Sequence, residues 1–498
     1  MLAGLAAAAL LSAAPARAAA VSSAPVVLSV CDDVHDPLTL DPHKEFAEKN
    51  HTLLQQMYEG LVRFDAQGRI EPALAVSWQR RDPLRMRFQL RREVQFHNGE
   101  PFNAEAVRFT IARYLDPKTG FPALGFINSL DKVEIIDEHT VDIITKFPDG
   151  LLLNRLAGFI LVVPPRYLAD KGDEALAKYP VGTGPFRFAR WERGRGVFMT
   201  RYASYWDSKR PKVDQLVFKF IAAEDQLEAL KSGEIDIATE LPGTQTTAAM
   251  RSGSLKVIKA PSFYTVTGSL NTNRPPLNDK RVRQALNLAL NKDDLIRYDL
   301  LGNGRTIATV TMAGEEGHNA DLKPYPYSPS EAKRLLKEAG FPSGFTLRAL
   351  VKIQGERAAK IIEEQLARIG VKLDVHLVTD AEVVQTLIGG RWDVFIAGCP
   401  DPMAHSYFIQ SIYLYGRSPY RVAQNPAYDA LLEAMVATLD DERRREMAFE
   451  LDRYIHDEAL LLFLYQRIKT YGVRKGVEFA PSITGMPYFF DVSKTQAP

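Results

Sequence analysis

The chain has little of what several protein classes depend on. It contains 2 cysteines among 498 residues, too few for a disulfide framework. Its 62 basic and 61 acidic side chains nearly cancel, so no broad positive field favours nucleic acid or an anionic membrane as a partner. Beyond residue 20, no run reaches the ~18–20 apolar residues that a membrane helix needs. We therefore expect a globular protein with no membrane span and no nucleic-acid partner.

The sequence motifs of common enzymes are also missing. No G-x-S-x-G, H-E-x-x-H or G-x-x-x-x-G-K-[S/T] pattern occurs in the chain. A hydrolase that pairs Asp32 or Asp33 with Asp401 is kept as an alternative, and it requires the two carboxylates to lie roughly 5–9 Å apart. Nothing in the sequence sets that distance. We therefore expect no enzyme activity, no catalytic residue, no metal and no cofactor.

The N-terminal segment has the composition of an export signal. Residues 1–20 are rich in alanine and leucine and contain the small-x-small pattern Ala16-Arg17-Ala18. This arrangement predicts a signal peptide that is removed after Ala18 or Ala20, although no lysine or arginine precedes the apolar run. We expect the mature protein in the periplasm, with Cys31 and Cys399 as two separate thiols.

The stretch from Ser328 to His405 alternates between helical and strand-like spacing of its apolar residues. Ser328 and Glu331, with a proline between them, match a capping box at the start of a helix. Three predicted helices then alternate with predicted strands near 345–351, 371–377 and 392–397. This alternation predicts an α/β fold in which helices cover a parallel sheet. Ligands of such sheets bind beyond the carboxyl ends of the strands, where this chain continues as a loop at 400–405.

A smaller unit of the same kind precedes this stretch. Residues 213–221 and 235–239 are predicted as strands, and residues 222–232 as the helix between them. Because 498 residues are too many for one core, we expect two or three domains. The segment 266–271 is predicted to join the two parallel units, and strands near 461–473 are predicted to lead back.

Three candidate binding residues lie in the 400–405 loop. Asp401, Met403 and His405 place a carboxylate, a thioether and an imidazole at the predicted carboxyl edge of the sheet. Structural roles are the alternatives. Asp401 is bracketed by two prolines, as in many turns, and His405 precedes a helix.

Five further candidates lie elsewhere in the chain. Asp33 and His35 follow the first strand, where a carboxylate and an imidazole can bind a metal or ligand, although most such runs are solvated loops. Thr183 lies in a glycine-dense corner whose alternative role is a structural turn. Tyr264 and Asn271 flank the predicted crossing between the two units, and we expect one side of a crossing strand to face the space between them.

Several blocks of the sequence match the pattern of a known family, in the order in which that family has them. They are Glu71–Trp78, Phe88–Val107, Pro180–Phe186, Tyr205-Trp206, Ser232–Ile237, Leu277–Leu286 and Ser328–Gly340. With these blocks the chain resembles the peptide/nickel class of ABC-transporter periplasmic solute-binding proteins, over almost the whole mature length.

The resemblance implies a bilobal, type II periplasmic-binding-protein fold with two parallel-sheet lobes and an extra domain inserted in the first lobe. It divides the chain into a signal peptide (1–20), lobe I (21–50, 185–265 and 471–498), an insert (51–184) and lobe II (266–470). It also implies a monomer that captures a small solute between the lobes. The solute would then pass to membrane permease subunits driven by cytoplasmic ATPases.

The resemblance is less specific about the solute. Dipeptide binders of the class carry an arginine after the strand that corresponds to 345–351, and this chain offers Lys352 there. Their acidic loop is shortened here to Pro400-Asp401-Pro402. Nickel binders carry a tryptophan before that loop, where this chain has Ala397. We expect a peptide-like solute, with a metal chelate as the alternative.

Overall fold

The computed structural model describes residues 24–32 and 35–495. The predicted signal peptide and the candidate Asp33 lie outside these ranges. Within them, no helix is both long and apolar enough to span a bilayer.

The strands of the described residues are numbered in chain order. They are β1 (Val27–Cys31), β2 (Val62–Phe64), β3 (Ile70–Pro72), β4 (Ala75–Asp82), β5 (Arg85–Leu90), β6 (Leu130–Asp137), β7 (Thr140–Thr145), β8 (Phe186–Glu192), β9 (Gly196–Arg201), β10 (Gln215–Lys219), β11 (Ile237–Ala238), β12 (Leu255–Leu270), β13 (Gly304–Thr306), β14 (Phe345–Lys352), β15 (Val371–Val378), β16 (Val394–Pro400), β17 (Leu461–Arg474), β18 (Val477–Glu478) and β19 (Ser493–Lys494).

The α-helices are numbered in the same way. They are α1 (Glu48–Leu54), α2 (Ala104–Leu115), α3 (Leu152–Phe159), α4 (Pro165–Lys171), α5 (Asp173–Lys178), α6 (Gln226–Ser232), α7 (Gly243–Arg251), α8 (Lys280–Leu288), α9 (Lys292–Tyr298), α10 (Pro329–Glu338), α11 (Glu356–Ala367), α12 (Val383–Gly389), α13 (Tyr407–Tyr413), α14 (Pro426–Ala437) and α15 (Asp441–Asp457). Short 3-10 turns cover Leu124–Ile127, Ala223–Asp225 and Ile353–Gly355.

One mixed sheet of 11 strands runs through both lobes in the order β15-β14-β16-β12-β17-β11-β1-β10-β9-β8, with β13 beside β17. At the lobe I end, β1 lies parallel between β10 and β11. At the lobe II end, β14 lies parallel between β15 and β16. The long antiparallel strands β12 and β17 join the two ends. The predicted bilobal α/β fold is confirmed, and two paired strands rather than a loose tether connect its lobes.

Buried apolar residues form separate cores in lobe I and on the two faces of the lobe II sheet. The lobe I core includes Leu28 and Val30 of β1, both fully buried. One face of the lobe II sheet packs on α8, α10 and α11 through residues such as Leu286 and Ile362. The other face shares a single core with the insert, whose own four-stranded antiparallel sheet has the order β4-β5-β7-β6. The insert is therefore packed against lobe II as well as being connected to lobe I. The boundaries between these domains remain a prediction from the sequence.

Most elements that the sequence predicted are present, with a few local corrections. Asn103 caps α2 by accepting from the amide of Glu105 at 3.1 Å. The prediction of a capping box at α10 was wrong. Ser328 makes no side-chain cap, and the Glu331 carboxylate is bound by Arg334 instead. The strands predicted at 461–465 and 469–473 are the single strand β17. The strand predicted at 392–397 begins two residues later, at Val394.

The two cysteines are not joined to each other. Cys31 is buried in lobe I at the end of β1, and Cys399 lies in lobe II near the end of β16. The prediction of two separate thiols is confirmed.

Candidate functional site

The carboxyl edge of the lobe I sheet carries a buried carboxylate. Parallel strands β1 and β11 end side by side, which brings Asp32 next to Thr239. The Thr239 hydroxyl donates to Asp32 Oδ1 at 2.5 Å, and Lys49 Nζ lies 3.7 Å from the same oxygen. Burial raises the pKa of Asp32, and the ammonium groups of Lys49 and Lys469 oppose that rise.

Acidic and basic side chains alternate beside this carboxylate. Helix α1 contributes Glu48 and Lys49, and strand β17 contributes Lys469. Lys469 Nζ lies 2.5 Å from Glu48 Oε1 and 3.6 Å from Glu240 Oε1, while Lys49 Nζ lies 3.5 Å from the same Glu240 oxygen. Each charge therefore has opposite charges as neighbours, and the group forms one network rather than separate pairs.

Glu240 is the member of the network that stays open to solvent. Its side chain is 35% exposed, whereas that of Lys469 is 3% exposed. Burial alone would raise the pKa of Glu240, but Lys49, Lys469 and Arg467 together hold it well below its usual range. The carboxylate is thus ionised, surrounded by cations and partly exposed.

Tyr264 lies where the two long strands separate. The pairing of β12 with β17 is interrupted between Pro261 and Thr265, which leaves Tyr264 in an irregular segment. The Arg467 guanidinium lies over its ring, 4.7 Å from the centroid. The ring also lies close to Gly398, where an added Cβ atom would come within 2.6 Å of it. The ring therefore contacts a cation and packs on a strand that has no side chain at that point.

Lobe II contributes a less polar surface opposite these charges. Cys399 is half-buried at the end of β16, and burial raises the pKa of its thiol to about 12 against the opposing charge of Lys352. The carboxylate of Glu48 also contributes to the raised pKa of this thiol. At the edge, Lys352 Nζ pairs with Asp380 Oδ1 at 2.7 Å. The charged network, Tyr264 and Cys399 therefore lie near one another around the strands that join the two lobes, and together they are called the crevice here.

The predicted loop 400–405 lies behind this crevice. Asp401 is fully buried and accepts from the amides of Met403 at 2.7 Å and His405 at 3.1 Å. Its carboxyl also hydrogen-bonds that of Glu315. Met403 and His405 are buried as well, and the Met403 carbonyl accepts from Asn154 of α3 at 2.9 Å. The structure thus places these three candidates in the packing between lobe II and the insert.

The other predicted site residues are divided between the crevice and distant positions. Tyr264 lies in the crevice, and His35 lines an adjoining lobe I cavity of about 160 Å³ that Asp32 and Lys49 also line. Thr183 is fully buried beside Glu59. Asn271 donates to the Trp392 carbonyl at 2.9 Å, beyond the far end of β12. The structure therefore brings Tyr264 to the crevice and His35 to the adjoining cavity, and it places the other two candidates elsewhere.

Sequence reasoning missed most of the charged residues of the crevice. Glu48, Lys49, Glu240, Arg467 and Lys469 were not among the candidates. A signal was available in β17, where Arg467 and Lys469 stand two positions apart in an apolar strand and therefore point to one face. For Glu240 no local signal exists, because its partners come from distant parts of the chain. Within residues 24–32 and 35–495, no group of three or more His, Cys, Asp or Glu residues is arranged to hold a metal ion.

Two lobes joined by paired strands, with a charged crevice at the carboxyl ends of parallel strands, define a bilobal binding protein. The chain belongs to the bacterial extracellular solute-binding proteins, family 5, whose middle-region model matches residues 69–419. The resemblance described from the sequence blocks is thereby confirmed.

Relatives and solved structures support this assignment. The chain is 32% identical to the glutathione-binding protein GsiB of Pectobacterium atrosepticum over 343 residues, which are 68% of this chain and 66% of that protein. The structure of HbpA2 from Haemophilus parasuis matches with a TM-score of 0.83 at 25% identity, over 94% of this chain and 100% of that one. AgaA from A. tumefaciens R10, solved with agropinic acid, matches with a TM-score of 0.79 at 25% identity, over 95% and 99% of the two chains.

Proposed function

We propose that the protein is the exported solute-binding component of an ABC importer and that it captures a zwitterionic, peptide-like solute between its lobes. It would deliver the solute to permease subunits in the membrane, which cytoplasmic ATPases drive. It acts in the periplasm as a monomer, binds without chemical conversion and needs no cofactor. Membership of the family and the charged crevice support this function.

The charge pattern of the crevice is the observation that carries the choice of solute. A peptide-like solute presents an ammonium group and at least one carboxylate a few bonds apart. Glu240 and Glu48 suit the ammonium, and Arg467 suits a carboxylate because its planar guanidinium can donate two hydrogen bonds. Glutathione, the solute after which the relative GsiB is named, is a zwitterionic peptide and so belongs to this class of solute.

The charge pattern also favours a peptide-like solute over the two alternatives. Lys49, Lys469 and Arg467 would repel a metal chelate of net positive charge, whereas a zwitterionic solute also presents a carboxylate that these cations attract. The hydrolase alternative needs two available carboxylates. Asp32 is engaged by Thr239 and Lys49, and Asp401 accepts backbone amides in the packing between domains.

The first test is ligand-dependent stabilisation of the purified protein. A solute that binds only the folded state raises the free energy of unfolding by about 2.7 kcal/mol at a concentration of 100 times Kd. We expect reduced glutathione or a dipeptide to raise the melting temperature, with calorimetric titration giving Kd. If glutathione, dipeptides and an opine all leave the melting temperature unchanged, the proposed solute class is wrong.

Arg467→Met should weaken binding of that solute by roughly 30-fold, since loss of one partner of a desolvated charge pair costs about 2 kcal/mol or more. The matched control is Arg305→Met, because Arg305 is exposed on the neighbouring strand β13. Calorimetric titration of both variants measures the effect. If the two variants bind the solute with equal affinity, Arg467 does not contact the solute.

Gly398→Ala should weaken binding by roughly 3–10-fold with little change in folding. The added methyl group would displace the Tyr264 ring, and an aromatic contact contributes about 0.5–1.5 kcal/mol. Gly389→Ala is the control in the same lobe, because nothing lies within 4 Å of its missing Cβ. An unchanged Kd in the Gly398 variant would show that the Tyr264 ring does not touch the solute.

A further inference from the structure

The hairpin formed by β8 and β9 lies at the lobe I end of the 11-stranded sheet and is strongly basic. Residues 186–201 contain five arginines and a single acidic residue, Glu192. All five arginines, at positions 187, 190, 193, 195 and 201, are exposed. Because the whole chain has a net charge of only +1, this hairpin is a local concentration of positive charge.

Neighbouring carboxylates neutralise only part of this charge. Glu192 pairs with Arg190 at 2.6 Å, and Asp36 pairs with Arg193 at 3.2 Å. The hairpin arginines that are in no ion pair with residues 24–32 and 35–495 are Arg187, Arg195 and Arg201. The hairpin therefore has a surplus of positive charge that the described part of the chain does not balance.

Two of the arginines are fixed on the outer face of the hairpin. Arg187 lies opposite Thr200 and Arg190 lies opposite Phe198, so the two arginines share one face. The Arg190 guanidinium lies over the Phe198 ring, 3.6 Å from its centroid, and Arg187 Nε donates to Thr200 Oγ1 at 3.4 Å. The opposite face packs on the lobe I core. Both guanidinium groups are thus directed away from the core and exposed to solvent.

An exposed leucine lies beside the turn of the hairpin. Leu38 is 83% exposed, more than any other large apolar side chain in residues 24–32 and 35–495. Its segment is bound to the turn, because Trp191 Nε1 donates to Asp36 Oδ1 at 2.7 Å and Arg193 Nη1 donates to the Pro37 carbonyl at 3.1 Å. Basic side chains next to a projecting apolar side chain are typical of segments that bind a membrane surface.

The turn of the hairpin lies at the same edge of lobe I as the crevice. Gly196, where β9 begins, pairs with Lys219 at the carboxyl end of β10. Strand β10 runs parallel to β1, which leads into Asp32. The cavity of about 160 Å³ described above is lined by Leu38 as well as by Asp32. A partner that covers Leu38 and the hairpin turn therefore lies beside the crevice.

We propose that Leu38 and four hairpin arginines, Arg187, Arg190, Arg193 and Arg195, form a docking patch for an anionic lipid bilayer. Each guanidinium can donate two hydrogen bonds to a lipid phosphate, and Leu38 enters the interfacial layer of the bilayer. Lipid headgroups suit arginines that are spread along an open face, because they supply phosphates without a fixed geometry. Given the proposed importer function, on which this last step rests, the patch holds the crevice next to the membrane that contains the permease.

The test measures binding of the purified protein to vesicles of phosphatidylglycerol and phosphatidylcholine, and to vesicles of phosphatidylcholine alone, by co-sedimentation. Wild type should bind the anionic vesicles more tightly, and rising salt should remove the difference. The double variant Arg187→Gln, Arg195→Gln should bind them roughly 25-fold more weakly, since each arginine near an anionic surface contributes about fivefold. The matched control is Lys333→Gln, Lys337→Gln, which removes the same charge from two exposed lysines of α10.

Leu38→Asn tests the apolar part of the patch. It should weaken binding to the anionic vesicles by roughly 10-fold, because the leucine side chain no longer leaves water. Ile388→Asn is the control, since Ile388 is 70% exposed in lobe II. All substituted residues are exposed, and thermal unfolding checks that each variant is folded. The phosphatidylcholine vesicles measure any contribution of the apolar segment 1–20, which every variant shares.

Losses confined to the arginine and Leu38 variants support the docking patch. Equal losses in the control variants would overturn it. Wild type that binds both kinds of vesicle equally would also overturn it and would leave an acidic protein surface as the partner of these arginines. Because the vesicles contain no solute, each of these results is independent of the proposed solute class.

Discussion

Arg155→Met is expected to lower the free energy of unfolding by about 3–5 kcal/mol, the usual cost of leaving a buried charge without its partner. Arg155 and Asp149 both have fully buried side chains, and Nε of the arginine lies 2.8 Å from Asp149 Oδ2. Nη1 also donates to the Phe126 carbonyl at 2.5 Å. Methionine has a comparable length but leaves the buried Asp149 carboxylate without its cationic partner. Urea unfolding at pH 7 measures the change.

The Arg155→Met, Asp149→Asn double variant is the control for this interpretation. The Ser129 hydroxyl donates to Asp149 Oδ2 at 2.6 Å and the Leu151 amide to Oδ1 at 2.9 Å, so an uncharged amide can retain part of this network. We expect the double variant to recover much of the lost stability. A double variant that is less stable than Arg155→Met would show that packing, rather than the unpaired charge, causes the loss.

Raising the pH from about 6.5 to 9 should lower the stability of the wild-type protein through the Glu315–Asp401 pair. Burial and the neighbouring Asp401 carboxyl raise the pKa of Glu315 well above its usual range, and burial raises the pKa of Asp401 to about 7. The folded pair keeps a proton that unfolded carboxyls, with pKa values near 4, release. Its stabilisation is therefore complete below about pH 4 and is lost as the pH rises through the folded pKa values. The slope can reach about 1.4 kcal/mol per pH unit.

Other buried groups near this pair act mainly at lower pH. Burial raises the pKa of Asp452 to about 6. The stabilisation that protonated Asp452 gives to the folded state is therefore largely lost by the time the pH passes about 6.5. Burial lowers the pKa of His405 to about 3, and its unfolded form takes up a proton only below about pH 6.5. Burial also lowers the pKa of Lys292 to about 8, which adds stability above that pH and opposes the loss from the pair. The difference between wild type and a variant of the pair, rather than the wild-type slope alone, therefore reports on Glu315 and Asp401.

Glu315→Gln isolates the contribution of the pair. The amide can still donate to Asp401, as the protonated carboxyl does, but it cannot ionise. We expect a flatter dependence of the free energy of unfolding on pH between 6.5 and 9, and greater stability than wild type at pH 9. The exposed Glu364→Gln should keep the wild-type slope. Parallel slopes for wild type and Glu315→Gln would show that the pair releases its proton outside this window.

The local pattern of the sequence was sufficient for most elements of the fold. The alternation of apolar residues predicted strands β14 and β15, because side chains of a strand point to opposite faces, and the apolar run at 392–397 predicted the buried strand β16. Asn103 and Asp279 lie at the starts of two helices, and each caps its helix with its own side chain. The candidate site was harder to predict. Asp401 follows a parallel strand, as a ligand residue would, but its carboxyl is used by neighbouring amides and by Glu315, 86 positions away in the chain.

The sequence by itself determined the class of fold, the family and the order of the elements, because these follow from residues close together in the chain. The tertiary structure decided which residues face the crevice. Glu48, Glu240 and Lys469 come from three distant segments and become neighbours only when β1, β11 and β17 lie side by side. It also decided that the 400–405 loop faces the insert, since the close approach of Gly158 to Pro402 is a property of two packed surfaces and of neither segment alone.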